Sequence, residues 1–452
     1  MIGEGASVPG LRGPVELVYA DYVASGRALA QVEDFIAEHV LPFYANCHTE
    51  ASYCGAYMTR LRTEARREIA RLTGAHDDYS VIFCGSGATA ALNKLVGLLG
   101  IEDAHEPVVF IGPYEHHSNI LPWRESKARV IQIAEGPHGG PDLEALQRAM
   151  DEYAHSDLKI GCFSAASNVT GIITDVAAVT RLLKSNGALS VWDYAGGGPY
   201  MPIAMASDGI HKDAVVISPH KFPGGPGASG VLIVNNTAVK RDVPTAPGGG
   251  TVTFVSPWTH EYSSHITVRE EAGTPDVIGD IRASLAFIVK DMIGQERISA
   301  REEELCKLGS EGLSSNPKIN LLGLDAAPRL PIFSFQMRGR DGELVHQQLV
   351  TRLLSDIYGI QARGGCACAG PYLHQLLDID RAQSERLRDA LKAGKEIEKP
   401  GSVRFNLSYL MSDRTARYII DSINHLSDHV DDYAQYYVAD TATARFRPAH
   451  GA

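Results

Sequence analysis

Residues 217–221 read Ile-Ser-Pro-His-Lys, and Phe-Pro-Gly-Gly-Pro-Gly follows at once at residues 222–227. The apolar segment before them predicts a buried strand, so Lys221 lies just beyond a strand end. Desolvation at such a position favours the neutral amine of a lysine, and a neutral amine can form a Schiff base with an aldehyde. The stretch therefore predicts a site for an aldehyde cofactor.

A second apolar segment, Leu-Ser-Val-Trp-Asp-Tyr-Ala at residues 189–195, delivers a carboxylate near its end. Asp193 could pair with a pyridinium nitrogen and keep it protonated, which makes the ring an electron sink. Asp193 and Lys221 thus predict the same cofactor, pyridoxal 5'-phosphate. The alternative is that Asp193 caps a turn and that Lys221 is a surface residue.

Strand-like apolar runs alternate with helix-like stretches such as residues 142–153 and 176–185. This alternation predicts an α/β fold with a mostly parallel sheet covered on both faces. Functional sites in such sheets lie beyond the carboxyl ends of the strands. The predicted strands are 81–83, 108–111, 130–133, 160–163, 191–192 and 215–217.

The length of 452 residues predicts two domains. We expect a large cofactor-binding domain over residues 30–290, and a small domain built from residues 1–29 and 291–452. After about residue 280, the sequence predicts a long helix through residues 281–304 and strands at 332–336 and 403–407. The charged stretch at residues 378–399 is predicted to be helical and solvated.

Composition excludes several classes of protein. The chain is 44% hydrophobic and 21% charged, which is ordinary for a soluble protein, and no apolar run is long enough to span a bilayer. The N-terminus lacks a secretory signal, so a cytoplasmic location is the default expectation. A net charge of -12 argues against nucleic acid as a primary partner. Seven cysteines do not match a disulfide-stapled secreted domain.

Three segments supply further candidate ligands for the cofactor. Gly-Ser-Gly at residues 85–87 leads into an apparent helix, whose N-terminus would let Ala88 and Thr89 hold a phosphate, although a plain turn is the alternative. His116 could lie flat on the pyridine ring and move protons, or it could be an ordinary loop histidine. Asn168 would supply an amide donor for the ring oxygen or for a substrate carboxylate.

Arg-Gly-Gly-Cys-Ala-Cys-Ala-Gly-Pro at residues 363–371 could expose a thiol, Cys366 or Cys368. A thiolate there could attack sulfur, and a cationic neighbour such as Arg363 would favour the thiolate. Packing cysteines, a redox disulfide and half of a metal site stay open as alternatives. Arg404 would suit an amino-acid carboxylate, with a structural ion pair as its alternative.

The order of these segments resembles the class V aminotransferase superfamily of fold-type I pyridoxal phosphate enzymes, most closely its cysteine desulfurase and selenocysteine lyase branch. The resemblance covers nearly the whole chain and implies a large domain with a mostly parallel sheet and a smaller α+β C-terminal domain. Residues 19–25 resemble the opening motif near the substrate, which includes Ala24. The other matching positions are His116 on the ring, Asp193 at the ring nitrogen, Ser218 and His220 at the phosphate, and Lys221 as the Schiff-base lysine.

Glu-Ala-Gly-Thr-Pro at residues 271–275 resembles the segment that reaches the phosphate of the other subunit, with Thr274 as the donor. The resemblance therefore implies a homodimer with a shared active site. Residues 363–369 fit the Arg-x-Gly-x-x-Cys-Ala pattern of one desulfurase group, which puts Cys368 at the persulfide-forming position. Arg404 matches the arginine that binds the substrate carboxylate.

The implied reaction is the removal of sulfur from L-cysteine. The substrate replaces Lys221 on the cofactor, Lys221 moves the α-proton, Cys368 takes the sulfur as a persulfide, and L-alanine is released. A sulfur-acceptor protein is a further implied partner.

Two departures from the family pattern keep alternatives open. Gly196 stands where the family usually has a glutamine, and Cys366 is a rival nucleophile or a resolving thiol. Other class V activities remain, namely C–S lyase, selenocysteine lyase, epimerase and aminotransferase. A hypothesis of another class is a non-catalytic thiol protein that uses Cys366 and Cys368 for metal or redox binding.

Overall fold

The computed structural model describes residues 1–47, 49–207, 209–323 and 328–449. The chain divides into two compact units. Unit 1 consists of residues 1–2, 25–166 and 174–295, and unit 2 of residues 3–24, 167–173 and 296–452. Residues 167–173 therefore group with unit 2, although residues of unit 1 precede and follow them in the sequence.

A seven-stranded sheet forms the centre of unit 1. Neighbouring strands are parallel, except that Gly230–Asn235 runs antiparallel to both of its neighbours. The six predicted strands are present, and their carboxyl ends lie at one edge of the sheet. The spatial order is Tyr79–Cys84, Gly230–Asn235, Ala214–Ile217, Leu189–Asp193, Lys159–Ser164, Val108–Ile111 and Arg129–Gln132.

Both faces of this sheet are buried, which explains why its strands read as continuous apolar runs. Alternate residues of one strand belong to different hydrophobic clusters: Val215 and Ile217 to one cluster, and Val216 to the other. The α-helices of unit 1 are Ala30–Phe35, Tyr53–Thr73, Gly87–Leu98, Leu121–Arg124, Leu143–Glu152, Val176–Ser185, Ile266–Glu270 and Val277–Ile293.

Short elements complete unit 1. Two strand pairs are Ala206–Ser207 with Ile210–His211, and Val252–Val255 with His260–Tyr262. Ile36–Val40 is a π-helical turn, and the 3-10 turns are Leu41–Phe43, His117–Asn119, Pro219–Lys221 and Asn236–Ala238.

Unit 2 is an α+β unit around a small antiparallel sheet. The strands of this sheet lie in the order Ile319–Leu321, Ile332–Arg338, Ser402–Asn406 and Arg363–Gly365, with Leu344–Val345 paired to Ile332–Arg338. Further strand pairs are Ser7–Gly10 with Gly13–Glu16, Val18–Tyr19 with Ile360–Gln361, and Tyr437–Asp440 with Arg445–Pro448.

The helices of unit 2 include the predicted charged stretch. Arg381–Lys392 starts with a capping box between Asp380 and Gln383 and buries none of its residues, so the prediction of a solvated helix is confirmed. The other helices are Gln295–Ser314, Gln347–Tyr358, Gly370–Leu376 and Asp413–Ala434, and Glu396–Glu398 is a 3-10 turn. Gln295, the first residue of its helix, is the last residue of unit 1.

One element differs from its prediction. The single long helix predicted for residues 281–304 is wrong, because Val277–Ile293 and Gln295–Ser314 are separate helices. Gly294 between them has a φ of +88°, a conformation outside the helical region that glycine adopts without strain. Within the described residues, no helix is both long enough and apolar enough to cross a membrane.

Candidate active site

The glycine turn before Gly87–Leu98 brings a helix N-terminus against the segment that carries Lys221. Gly87 has a φ of +59°, and a Cβ atom there would lie 2.8 Å from Oγ of Ser218. The backbone N–H of Ala88 donates to that same Oγ at 2.9 Å. Thr89 is exposed, and its Oγ1 lies 2.7 Å from Oγ of Ser118. Hydroxyls and N–H groups thus gather at the N-terminus of this helix, as a phosphate would require.

Lys221 lies at the end of a 3-10 turn that directly follows the strand Ala214–Ile217. Its backbone N–H donates to the carbonyl oxygen of Ser218 at 3.0 Å, and the carbonyl oxygen of His220 accepts from Gly26 N–H at 2.9 Å. Burial, together with the charge of Lys221, lowers the pKa of His220 to about 4. The imidazole of His220 is therefore uncharged at neutral pH.

Asp193 is the last residue of the neighbouring parallel strand and is buried. Its Oδ1 accepts a hydrogen bond from the backbone N–H of Ala195 at 2.7 Å. Burial raises the pKa of Asp193, while that hydrogen bond and the positive charge of Lys221 counter the rise. Two parallel neighbours thus bring the predicted carboxylate and the predicted lysine to one edge of the sheet.

His116 lies in the loop after the strand Val108–Ile111. Its Nδ1 accepts a hydrogen bond from the backbone N–H of Ser118 at 3.1 Å. A backbone N–H can only donate, so the proton of the neutral imidazole lies on Nε2. The loop therefore fixes both the tautomer and the orientation of this ring.

Glu115 is a buried residue to which the sequence analysis assigned no role. Its carboxylate accepts four hydrogen bonds: from the backbone N–H of Gly112 at 3.2 Å, from the backbone N–H and Oγ of Ser164 at 2.9 and 2.6 Å, and from Nδ2 of Asn119 at 2.5 Å. Burial raises the pKa of Glu115 to about 7, and the bonds from Ser164 and Asn119 oppose the rise.

The partners of Glu115 connect two candidate residues. Ser164 is the register partner of Asp193 on the adjacent strand, and the backbone N–H of Ala165 donates to the carbonyl oxygen of Asp193 at 2.9 Å. His116 is the next residue after Glu115. One sequence signal could have found Glu115, namely an acidic residue beside a candidate histidine, just beyond a buried strand.

Glu115→Gln is expected to lower the free energy of unfolding by about 2–3 kcal/mol, because either orientation of the amide points an NH₂ group at another N–H donor. Denaturation of the two proteins side by side measures this loss. Glu302→Gln is a matched control, since Glu302 is also buried but, among the described residues, accepts one hydrogen bond, from Tyr409 N–H at 2.9 Å. Equal losses in both variants would contradict a special role of Glu115.

Unit 2 holds a second group of candidate residues around Asp21. Arg404 is 4% exposed, and its Nη2 donates to Oδ1 of Asp21 at 2.7 Å. Arg363, the register partner of Arg404 on the adjacent strand, donates through Nε to Oδ2 of Asp21 at 3.0 Å. The ion pair considered as the alternative for Arg404 is thus present. Two guanidinium groups share one carboxylate, which leaves this trio with one net positive charge.

Asn168 joins this group to the cysteine segment. The Nη1 atom of Arg404 donates to the carbonyl oxygen of Asn168 at 3.0 Å, and Nδ2 of Asn168 donates to the carbonyl oxygen of Ala367 at 2.8 Å. The predicted amide donor therefore contacts the backbone between the two cysteines. Cys366 is half-buried and Cys368 is exposed, and the seven cysteines of the chain, all of them described, are free.

Two further predicted positions, Ala24 and Thr274, lie outside the helices and strands. Ala24 is half-buried and ends the first segment of unit 2. Thr274 is an exposed residue of unit 1. Glu271 of the same motif accepts hydrogen bonds from Arg62 and from Arg66, and the two bonds from the Nη atoms of Arg66 are each 2.8 Å long. Among the described residues, no group of three or more His, Cys, Asp or Glu is placed to hold a metal ion.

Curated proteins and solved structures resemble this chain over most of its length. A probable cysteine desulfurase of Streptomyces coelicolor is 29% identical over 366 residues, 79% of this chain and 84% of the relative. A probable cysteine desulfurase of Pyrococcus abyssi is 27% identical, over 80% of this chain and 87% of the relative. The apo structure of a cysteine desulfurase from Thermococcus onnurineus superposes with a TM-score of 0.75 at 24% identity and covers 91% of this chain and 95% of that one.

The structural likeness shows a shared fold and confirms the predicted α/β, fold-type I architecture with its mostly parallel central sheet. The family model described as Aminotransferase class-V matches residues 18–394. That range contains every residue proposed above for the site except Arg404. The resemblance inferred from the motifs is thereby confirmed, and the chain belongs to the class V aminotransferase family.

Proposed function

We propose that this chain is a pyridoxal 5'-phosphate-dependent, cysteine desulfurase-like enzyme, which releases sulfur from L-cysteine as a persulfide on Cys368 and forms L-alanine. One observation supports the choice of cofactor above the others: Asp193, Lys221 and a helix N-terminus lie at one edge of the central sheet. The curated relatives named as cysteine desulfurases support the substrate.

The residues of unit 1 fit this cofactor. The N–H groups at the start of Gly87–Leu98, together with the hydroxyls of Thr89 and Ser218, suit its phosphate. Asp193 would hold the ring nitrogen, His116 the ring face, and Lys221 the aldehyde carbon. When bound, the cofactor supplies an electron sink for the charge that develops at the α-carbon of the substrate.

Each protein group then has a separate task. Arg404 binds the substrate carboxylate, and the amine of Lys221 carries the α-proton. The thiolate of Cys368 forms a new S–S bond to the substrate sulfur while the Cβ–S bond of the substrate breaks. A proton delivered to that Cβ, which balances the proton lost from the Cys368 thiol, and the α-proton returned by Lys221 together complete alanine. The neutral His220 adds no positive charge beside Lys221 that would disfavour the protonated form of the lysine.

We also propose a homodimer, in which Thr274 reaches the phosphate site of the neighbouring subunit. The exposure of Thr274, on a segment held at Glu271, supports this role. The exposure of Cys368 likewise supports a sulfur-acceptor partner, and the absence of a membrane-spanning helix among the described residues agrees with the proposed cytoplasmic location.

The test is a substrate panel with the purified holoenzyme. L-cysteine, L-selenocysteine, L-cysteine sulfinate and L-cystathionine are supplied separately, and alanine, pyruvate and ammonia are quantified. We expect alanine from L-cysteine. Pyruvate with ammonia would indicate a C–S lyase, and a keto acid formed only when an amino acceptor is added would indicate an aminotransferase.

Arg404→Gln is expected to raise KM for L-cysteine by about 10- to 100-fold, because a charged hydrogen bond to a buried carboxylate contributes about 1.5–3 kcal/mol. The kcat value should change much less, since the contact is made in the ground state and the transition state alike. Steady-state kinetics measures both constants. Arg363→Gln is the control, because it removes the other guanidinium on Asp21 and should leave KM within about threefold of the wild type.

A further inference from the structure

Cys366 and Cys368 lie in one closed turn of unit 2. The backbone N–H of Ala369 donates to the carbonyl oxygen of Cys366 at 3.0 Å, which closes a four-residue turn. Both central residues are left-handed, with φ of +50° at Ala367 and +56° at Cys368. Neither is glycine, and this conformation costs a non-glycine residue roughly 1–2 kcal/mol. Surrounding contacts must therefore hold the turn in this shape.

Three contacts hold it. The strand Arg363–Gly365 precedes the turn and pairs with Ser402–Asn406, and the buried Ala369 follows it and leads into the helix Gly370–Leu376. In the middle, Nδ2 of Asn168 donates to the carbonyl oxygen of Ala367 at 2.8 Å. The turn is thus anchored before, within and after the two cysteines.

This anchoring has a consequence for a sulfur atom carried on Cys368. When no acceptor protein is docked on the exposed Cys368, the anchored turn keeps a persulfide on this residue beside its neighbours in the turn. The cysteine two residues away is Cys366, which is half-buried. Disulfide-linked cysteines have Cα atoms about 4.4–6.8 Å apart. Cys366 and Cys368 are the first and third residues of the closed turn, and its bend at Ala367 keeps their Cα atoms short of the roughly 7 Å that two residues span in an extended chain.

We propose that Cys366 is the resolving thiol of Cys368, an inference that rests on the proposed function. The thiolate of Cys366 attacks Sγ of the Cys368 persulfide, an Sγ–Sγ bond forms, the bond from Cys368 to the terminal sulfur breaks, and that sulfur leaves as hydrosulfide. The terminal sulfur is reduced, and the two cysteines are oxidised to a disulfide. A dithiol reductant then supplies two electrons and two protons and returns both thiols.

The experiment follows the sulfur during a single turnover. The holoenzyme is mixed with one equivalent of L-cysteine per chain without a dithiol, or with excess L-cysteine and a dithiol, and the reaction is quenched with acid and alkylated. The mass of the peptide that carries residues 366 and 368 is then measured by mass spectrometry. Without the dithiol, the wild type should release one hydrosulfide per chain, and its peptide should carry no alkyl group at either cysteine and be about 2 Da lighter than the unalkylated dithiol peptide, because the disulfide blocks both thiols. With the dithiol, turnover should continue.

Cys366→Ser separates this proposal from its alternatives. This variant should still form alanine in the first turnover, but its peptide should stay heavier by about 32 Da through a stable persulfide, and hydrosulfide release without a dithiol should fall at least about tenfold. Cys306→Ser is the control, because Cys306 is also a half-buried thiol of unit 2 but lies in the helix Gln295–Ser314. It should behave as the wild type does.

Two results overturn the proposal while leaving the desulfurase function intact. The first is a wild-type peptide that retains the persulfide and never shows the disulfide. The second is hydrosulfide release from Cys366→Ser at the wild-type rate. By contrast, a wild type that forms no alanine would reject the proposed function itself.

Discussion

Lys221→Ala is expected to lower kcat for alanine formation from L-cysteine by about 10⁴-fold or more, because the variant lacks both the amine that holds the cofactor and the base that carries the α-proton. The purified variant should also lose the visible absorbance band of the tightly bound cofactor. Absorbance spectra and alanine quantification measure the two effects.

Two controls make this prediction specific. Lys212→Met removes another largely buried lysine of unit 1, whose Nζ donates to the carbonyl oxygen of Ala204, and should keep the absorbance band. A small primary amine, added to Lys221→Ala together with excess cofactor, should restore part of the proton transfer, because it can enter the space of the missing side chain. Retention of the band and of activity in Lys221→Ala would assign the cofactor to another lysine.

Cys368→Ser is expected to lower sulfur release and alanine formation together by about 10³-fold or more, since a serine hydroxyl is a far weaker nucleophile toward sulfur than a thiolate. The cofactor absorbance should remain, because Cys368 has no part in holding the cofactor. Parallel assays of alanine, hydrosulfide and bound persulfide measure the effect.

Cys366→Ser is the matched control for this second prediction, since it removes the other thiol of the same turn. It should keep the first-turnover yield of alanine. The opposite pattern, with turnover kept in Cys368→Ser and lost in Cys366→Ser, would make Cys366 the nucleophile. Full turnover in both variants would point to a class V activity that uses neither thiol.

The sequence predicted the fold best at the buried strands, which are recognisable as apolar runs. The six predicted strands are fully or largely apolar because both faces of the central sheet are covered, and the residues that follow them share an edge because the strands are parallel. The positions of Asp193, Lys221 and the turn before Ala88 at that edge could therefore be predicted from local signals alone.

Other features depend on partners that are distant in the sequence. The strand Gly230–Asn235 was missed, although it is also an apolar run, because it follows a glycine-rich stretch and runs antiparallel within an otherwise parallel sheet. The ion pair of Arg404 with Asp21 joins residues 383 positions apart, which no local pattern reveals. The break at Gly294 depends on its φ of +88°, and a glycine within a helical pattern does not disclose its own conformation.

The measurement that tests the central claim most directly is the ratio of alanine to sulfur released from L-cysteine by the purified holoenzyme in the presence of a dithiol. Alanine and hydrosulfide are quantified in the same samples over many turnovers. The proposed function predicts equimolar amounts, with neither product formed by Lys221→Ala. Pyruvate and ammonia in place of alanine, or alanine without an equivalent of sulfur, would contradict it.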